Sequence, residues 1–159
     1  MKKYRKNAGI IVFNKNKKVL ICERIGNWEQ AWQFPQGGID EKETAQEAAI
    51  RELKEETSIS SVRAILTETT PLIYEFPPEV KANSKKKGRD YDGQEQYWSL
   101  LLFLGEDSEI NLQTKEPEFK SWKWIDIENA DKNVVSFKKE VYRTIINKYK
   151  PIIEEYKIL

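Results

Sequence analysis

The sequence predicts an α/β fold of the α+β kind, with strands first, an acidic helix between them and a second helix closing the far face. Three observations predict it. Short β-branched and apolar runs at Ala8–Phe13 and Val19–Glu23 have strand length. From Thr44 to Thr57 the chain has no Gly or Pro, and Ala45, Ala48, Ala49 and Leu53 form a small apolar face at helical spacing. Near the other end, Phe137, Val141 and Ile145 share one helical stripe. No internal repeat and no linker interrupts the pattern, so residues 1–159 are expected to form a single domain with a proper core.

Taken in order, Tyr4-Arg5-Lys6-Asn7 leads into the first strand, and the polar turn Asn14–Lys18 returns the chain as a hairpin. Arg24 follows, then a loop containing Gly26, Asn27, Trp28 and Trp32, and Gln33-Phe34-Pro35-Gln36-Gly37-Gly38 delivers the chain to the acidic helix. Val62–Thr67 and Leu72–Phe76 are predicted strands flanking Pro71. Between Pro77 and Gly93 there is no apolar periodicity, and Pro77-Pro78, Lys85-Lys86-Lys87 and Gly88 predict a long mobile loop. Gln94–Leu104 is the most strand-like segment, Gly105–Thr114 a connection, and Phe119–Ile125 alternates as a half-buried strand. Ser136 suits an N-cap for a helix through Tyr149, with Pro151 interrupting it and a short helical piece beyond.

Composition narrows the chemistry. With 39% hydrophobic and 33% charged residues the chain reads as a soluble globular protein, and a formal net charge of +1 gives no whole-molecule field for nucleic acid. No apolar run has membrane-spanning length and no secretory leader opens the sequence, so the expected address is the cytoplasm. The single cysteine, Cys22, excludes an internal disulfide and a cysteine-cluster zinc site; in Val19-Leu20-Ile21-Cys22 it suits a small buried hydrophobe better than a nucleophile. The absence of histidine excludes Ser-His-Asp and Cys-His catalysis, histidine-liganded zinc and haem. Carboxylates, Lys, Tyr or water activated by an oxygen-liganded metal remain.

On the acidic helix, Glu52 and Glu56 stand almost one above the other and Glu55 lies on the same side. Three carboxylates on one face repel one another and weaken the helix. A hard divalent cation such as Mg²⁺ or Mn²⁺ reverses that sign, because it takes several carboxylates together with phosphate oxygens. The alternative is a solvated acidic face.

Spacing separates the two. Gly37, Glu43, Arg51-Glu52-Leu53, Glu55-Glu56 and Ile59 follow G-x5-E-x7-R-E-U-x-E-E-x-G-U, with U a bulky apolar residue, and here the chain resembles the Nudix hydrolases. Only the last Gly departs, being Ser58. A helix end in the left-handed conformation is free for Gly and costs Ser on the order of 1 kcal/mol. Beyond this box, Tyr4-Arg5-x-Asn7, Trp32–Ile39, Gly93-Gln94-x-Gln96-x-Trp98, Pro117-Glu118-Phe119-x-x-Trp122 and Val135-Ser136-Phe137-Lys138-x-x-Val141-Tyr142-Arg143 resemble the bacterial RNA pyrophosphohydrolases, also described as dinucleoside polyphosphate hydrolases. Lys6 stands where a Pro is frequent.

The resemblance implies a Nudix α/β/α sandwich with a mixed central sheet, and hydrolysis of a phosphoanhydride with Mg²⁺ or Mn²⁺. Carried over by motif position, Glu52, Glu55, Glu56 and Glu118 are implied metal ligands, with Gly37 beside them; Glu52 is the favoured general base, and Glu56 mainly a ligand. Glu43 and Arg51 are implied to support the site by tying helix to loop. Arg5, Arg24 and Lys138 match phosphate-contacting positions, and Phe137 one that stacks on a base. Each has an ordinary alternative: Phe137 as core, Glu118 as a loop acid, the basic residues and Lys85-Lys86-Lys87 as solvated charges. Trp32 is expected in the core, and Trp28 either there or at the substrate mouth.

Three functions are compatible with these residues. One is a pyrophosphohydrolase acting on 5′-triphosphorylated RNA, another an asymmetric bis(5′-nucleosyl)-tetraphosphatase acting on dinucleoside polyphosphates. The third is a Nudix module that binds nucleotides without hydrolysis, which a loss of one glutamate would favour; Glu52, Glu55, Glu56 and Glu118 are all present.

Overall fold

The computed structural model describes residues 1–26 and 31–158. Its strands are β1 (Tyr4–Phe13), β2 (Val19–Arg24), β3 (Trp32–Gln33), β4 (Gln36–Gly38), β5 (Val62–Thr67), β6 (Leu72–Glu75), β7 (Gly93–Phe103) and β8 (Phe119–Ile125). The helices are α1 (Ala45–Thr57), α2 (Pro78–Lys86) and α3 (Lys139–Glu155).

The strands form a mixed sheet ordered β3-β2-β1-β7-β5, with β4 paired to β1, β6 to β7 and β8 to β2. Its centre is the parallel pair β1–β7, in register from Tyr4 opposite Gly93 to Phe13 opposite Leu102. Period-2 alternation divides the apolar residues between two faces. Ile11, Phe13, Ile21, Trp98, Leu100 and Leu102 pack with Val141, Tyr142, Ile145 and Tyr149 of α3. Ala8, Ile10, Val12, Leu20, Cys22 and Leu101 pack with Ala48, Ala49 and Leu53 of α1. The result is the expected three-layer arrangement, with the small apolar face of α1 lying close against β1 and β4. Trp32 is half-buried against the α3-side core, with the Lys123 ammonium 4.2 Å from its ring centroid. Trp28 lies outside the described residues.

The start of α1 follows from a capping box. Thr44 accepts a hydrogen bond from the Glu47 backbone N–H, and the Glu47 carboxylate accepts from the Thr44 N–H. Its end carries the backbone state foreseen at the departing position: Ser58 sits at φ 68°, its N–H donating to the Lys54 carbonyl and its hydroxyl to Asn111 O.

Two expectations are corrected. Within the expected loop from Pro77 to Gly93, α2 occupies Pro78–Lys86. Pro78 suits a first helical position, and the residues after it are acceptable helix formers, but none is buried, so no apolar stripe announced the helix. The C-terminal helix is not broken at Pro151; α3 runs through it to Glu155, preceded by a 3₁₀ turn at Ser136–Lys138. Pro151 lies one turn from the helix end, and the apolar stripe continues past it in buried Ile153. Ser136, expected as the N-cap, is instead the first residue of that turn; Val135 caps the turn and Lys138 caps α3, neither with a side-chain bond. Among the described residues no helix is long and apolar enough to cross a membrane.

Candidate active site

The glycine turn and α1 bring the first group of candidates together. Gly37 is pressed against α1 so closely that a Cβ there would collide with the Glu52 carboxyl group. Arg51 reaches back from α1 to the preceding loop, donating from Nε to Glu43 Oε2 at 2.6 Å and from Nη2 to Glu43 Oε1 at 2.8 Å and Gly38 O at 2.8 Å. Its Nη1 contacts Glu52 Oε1 at 2.9 Å and Glu55 Oε2 at 3.1 Å. The guanidinium beside Glu43 holds that carboxyl down to about 2.

Glu56 is the buried member. Among the described residues its Oε2 has no hydrogen-bond partner. Burial, then the charges of Glu52 and Glu118, push its carboxyl up to about 9, with the Gln36 backbone N–H opposing them. Glu52 is also raised, first by burial and further by Glu55, against the lowering effects of Arg51 and Arg5. Glu118 is exposed and arrives from the distant loop: β2 shifts register between Glu23 and Arg24, and Ile25 N–H donates to Glu118 O at 3.0 Å. Its charge reaches Glu56. Among the described residues no three acidic side chains converge into a ready-made cation cage; Arg51 engages Glu43, Glu52 and Glu55 instead.

Of the cationic candidates, Arg5 reaches this group, while Arg24 and Lys138 gather around Tyr74. Arg5 lies against Gly38, where a Cβ would meet its guanidinium, and its charge acts on both Glu52 and Tyr74. The charge of Arg24 acts on Tyr74 and Lys138. Lys138 is buried, with its ammonium 3.4 Å from Gln33 Oε1. Burial first, and Arg24 second, bring its amine down to about 7. An anion arriving there restores the charged form. Phe137 is half-buried, with its ring 5.7 Å from Tyr74 and 6.4 Å from Phe76. It packs against the core within an aromatic cluster, which is the packing role of the two expected for it.

A polar layer under the site was not singled out from the sequence as functional. Gln96 Nε2 donates to Asn7 Oδ1 at 2.9 Å and Gln36 Oε1 at 2.8 Å, joining β7, β1 and β4. Tyr74 donates its hydroxyl to Gln94 Oε1 at 2.5 Å, and burial raises that phenol well above its ordinary value. The signal that marks them is two glutamines, Gln94 and Gln96, on one face of a strand whose later half, Leu100–Phe103, is wholly apolar.

The described residues set a mixed sheet between helices, with an acidic helix face held by Arg51 on one side and the buried Lys138 at the start of α3. The chain belongs to the Nudix family: the NUDIX domain model matches residues 3–145. It is 46% identical over 149 residues to the RNA pyrophosphohydrolase of Pelagibacter ubique, covering 94% of this chain and 93% of that protein. Among solved structures, the fold superposes on the Escherichia coli dihydroneopterin triphosphate pyrophosphohydrolase with a TM-score of 0.68 at 21% identity, covering 92% and 99% of the two chains. A Caenorhabditis elegans Ap4A hydrolase binary complex gives a TM-score of 0.67 at 22% identity, with 94% and 99% covered.

Proposed function

We propose that this Nudix hydrolase acts with Mg²⁺ or Mn²⁺ on the 5′-triphosphate end of RNA, releasing pyrophosphate and leaving a 5′-monophosphate. The observation that carries this is one buried oxygen, Glu56 Oε2, left without a hydrogen-bond partner among the described residues while Glu52, Glu55 and Glu118 act on the same side chain. A buried polar atom of that kind is costly unless a ligand completes it. The donor set also fits: it is all oxygen, and Glu52, Glu55, Glu56 and Glu118 would hold the ion, with Gly37 keeping backbone close to Glu52. When bound, a divalent ion would offset the carboxylate repulsion and the polyphosphate charge and make a water more acidic.

The remaining roles belong to the chain itself. Arg5, Arg24 and Lys138 bind phosphate oxygens, with Arg offering the paired N–H geometry that phosphate accepts. Phe137 stacks on a base. Glu52 is assigned the proton of the attacking water: the water oxygen bonds to phosphorus, the anhydride P–O bond breaks, and its electron pair leaves with pyrophosphate. Arg51, anchored on Glu43, fixes the Glu52 carboxylate. Residues 1–159 are taken as one catalytic domain working in the cytoplasm, supported by the extent of the family match.

Product analysis tests this. Triphosphorylated RNA incubated with the protein and Mg²⁺ should yield pyrophosphate and monophosphorylated RNA faster than a dinucleoside tetraphosphate is cut. Strong preference for the dinucleotide would make the protein an asymmetric tetraphosphatase, and turnover of neither would contradict both.

A further inference from the structure

We propose that the cleft between the start of β1 and the turn after α2 is a docking groove for the RNA strand continuing beyond the hydrolysed 5′ end. This rests on the assignment of an RNA substrate and adds a strand-binding surface to it. The cleft has a volume of about 450 Å³ and is lined by Lys3, Arg5, Gly88, Arg89, Asp90 and Tyr91. Three cationic side chains there face one carboxylate. Lys3 and Arg89 are exposed, and neither forms an ion pair among the described residues, whereas nearby Lys81 is paired with Asp92. Tyr91 is half-buried at the wall, an aromatic face of the kind on which an unpaired base stacks.

Continuity with the hydrolytic site comes through Arg5. Arg5, whose guanidinium lies against Gly38 and whose charge acts on Glu52, is also a lining residue of the cleft. A strand held by its 5′ phosphates at Arg5 has this groove as its next basic surface. A dinucleoside polyphosphate has no phosphodiester chain to place there, so cations beyond Arg5 are complementary to a polynucleotide in particular.

The groove is built on backbone. Lys3 N–H donates to Asp92 Oδ2 and Asp92 N–H to Lys3 O, each at 2.7 Å, while Phe76 N–H donates to Asp92 O at 2.8 Å. Arg89 N–H donates to Ser84 O at 3.0 Å, and the Ser84 hydroxyl returns a bond to Arg89 O at 3.2 Å. These bonds use main-chain atoms of Lys3 and Arg89, so truncating either side chain leaves the clasp in place.

The test compares wild type with the double variant Lys3→Ala/Arg89→Ala on a triphosphorylated RNA octamer and on diadenosine tetraphosphate. At physiological salt the variant should lose about tenfold in kcat/KM on the octamer, through KM, with a much smaller loss on the dinucleotide. The log–log salt dependence of octamer binding should flatten by about 1.4, two contacts at roughly 0.7 each for a single strand. Equal losses on both substrates would overturn the proposal by making the cleft a polyphosphate site, and no loss on either would leave it a solvated surface. A 5′-hydroxyl octamer, which has no hydrolysable end, separates this proposal from the assigned activity. Wild type should bind it more tightly than the variant even if triphosphorylated RNA is not turned over, and identical binding by both would refute the groove.

Discussion

Arg51, near the middle of α1, holds Glu43 in the preceding loop through two hydrogen bonds of 2.6 and 2.8 Å from one edge of its guanidinium. With its remaining Nη1 it touches Glu52 and Glu55. One side chain thus sets both the entry to the helix and the position of its acidic face.

Removing that clamp should be felt in stability and in rate. Glu43→Ala removes the two-point partner of the half-buried Arg51 guanidinium, which keeps only its Nη1 contacts to Glu52 and Glu55, and should cost about 2 kcal/mol. Because Arg51 holds the Glu43 carboxyl down to about 2, from an ordinary 4.5, the contribution is complete above about pH 4.5 and is lost as pH falls through 2. Melts of wild type and Glu43→Ala should converge in strong acid, and a constant gap across pH would contradict the pairing.

Glu56→Gln should lower turnover by about a thousandfold, the scale of removing one electrostatic group from a reacting site. Without divalent cation it should melt no lower than wild type, since the oxygen it replaces has no hydrogen-bond partner among the described residues. A variant within tenfold of wild-type activity would refute the role assigned to Glu56.

Lys138 supplies a pH dependence of the same sign as Glu43, in a higher pH range. Its amine is at about 7 in the fold and at 10.5 in its ordinary state. Between those values the unfolded chain binds the additional proton, so folding stability should rise with pH, by at most about 1.4 kcal/mol per unit. Below pH 7 the burial penalty is fully present. Lys138→Met should remove this slope in denaturant titrations, and should also raise KM for polyphosphate substrates by weakening the grip on phosphate.

Phe137→Ala should raise KM more than tenfold and also lower the melting temperature, because the ring packs against Tyr74 and Phe76. Phe137→Leu restores apolar volume without an aromatic face. It should recover most of the stability while leaving KM high; recovery of both would assign the ring to packing alone.

Ser58→Gly should stabilise the fold by up to about 1 kcal/mol, relieving a left-handed residue at φ 68°. Loss of the hydroxyl bond to Asn111 O offsets part of the gain. Chemical denaturation decides the sign, and activity should be unaffected.

Much of this was legible from local pattern. The Gly- and Pro-free run from Thr44 announces α1, the glutamate spacing its acidic face, and Ser58 its left-handed end, because each depends on neighbours within a turn or two. α2 escaped notice because a helix with no buried residue has no apolar period to read. The burial of Lys138 and the polar layer of Gln36, Gln94 and Gln96 depend on long-range pairing. The parallel register that sets Tyr4 beside Gly93 brings distant residues under the site, and nothing within either strand states it. Glu118 became legible only through its Pro-Glu-Phe setting, since its approach to Glu56 is made by the β2–β8 pairing.

The most direct measurement is calorimetric titration of Mn²⁺ into wild type and into the Glu56→Gln and Glu118→Gln variants. The account predicts saturable binding by wild type, severely weakened in Glu56→Gln and weakened in Glu118→Gln, with the folds intact by circular dichroism. Equal binding by all three, or none by wild type, would contradict it.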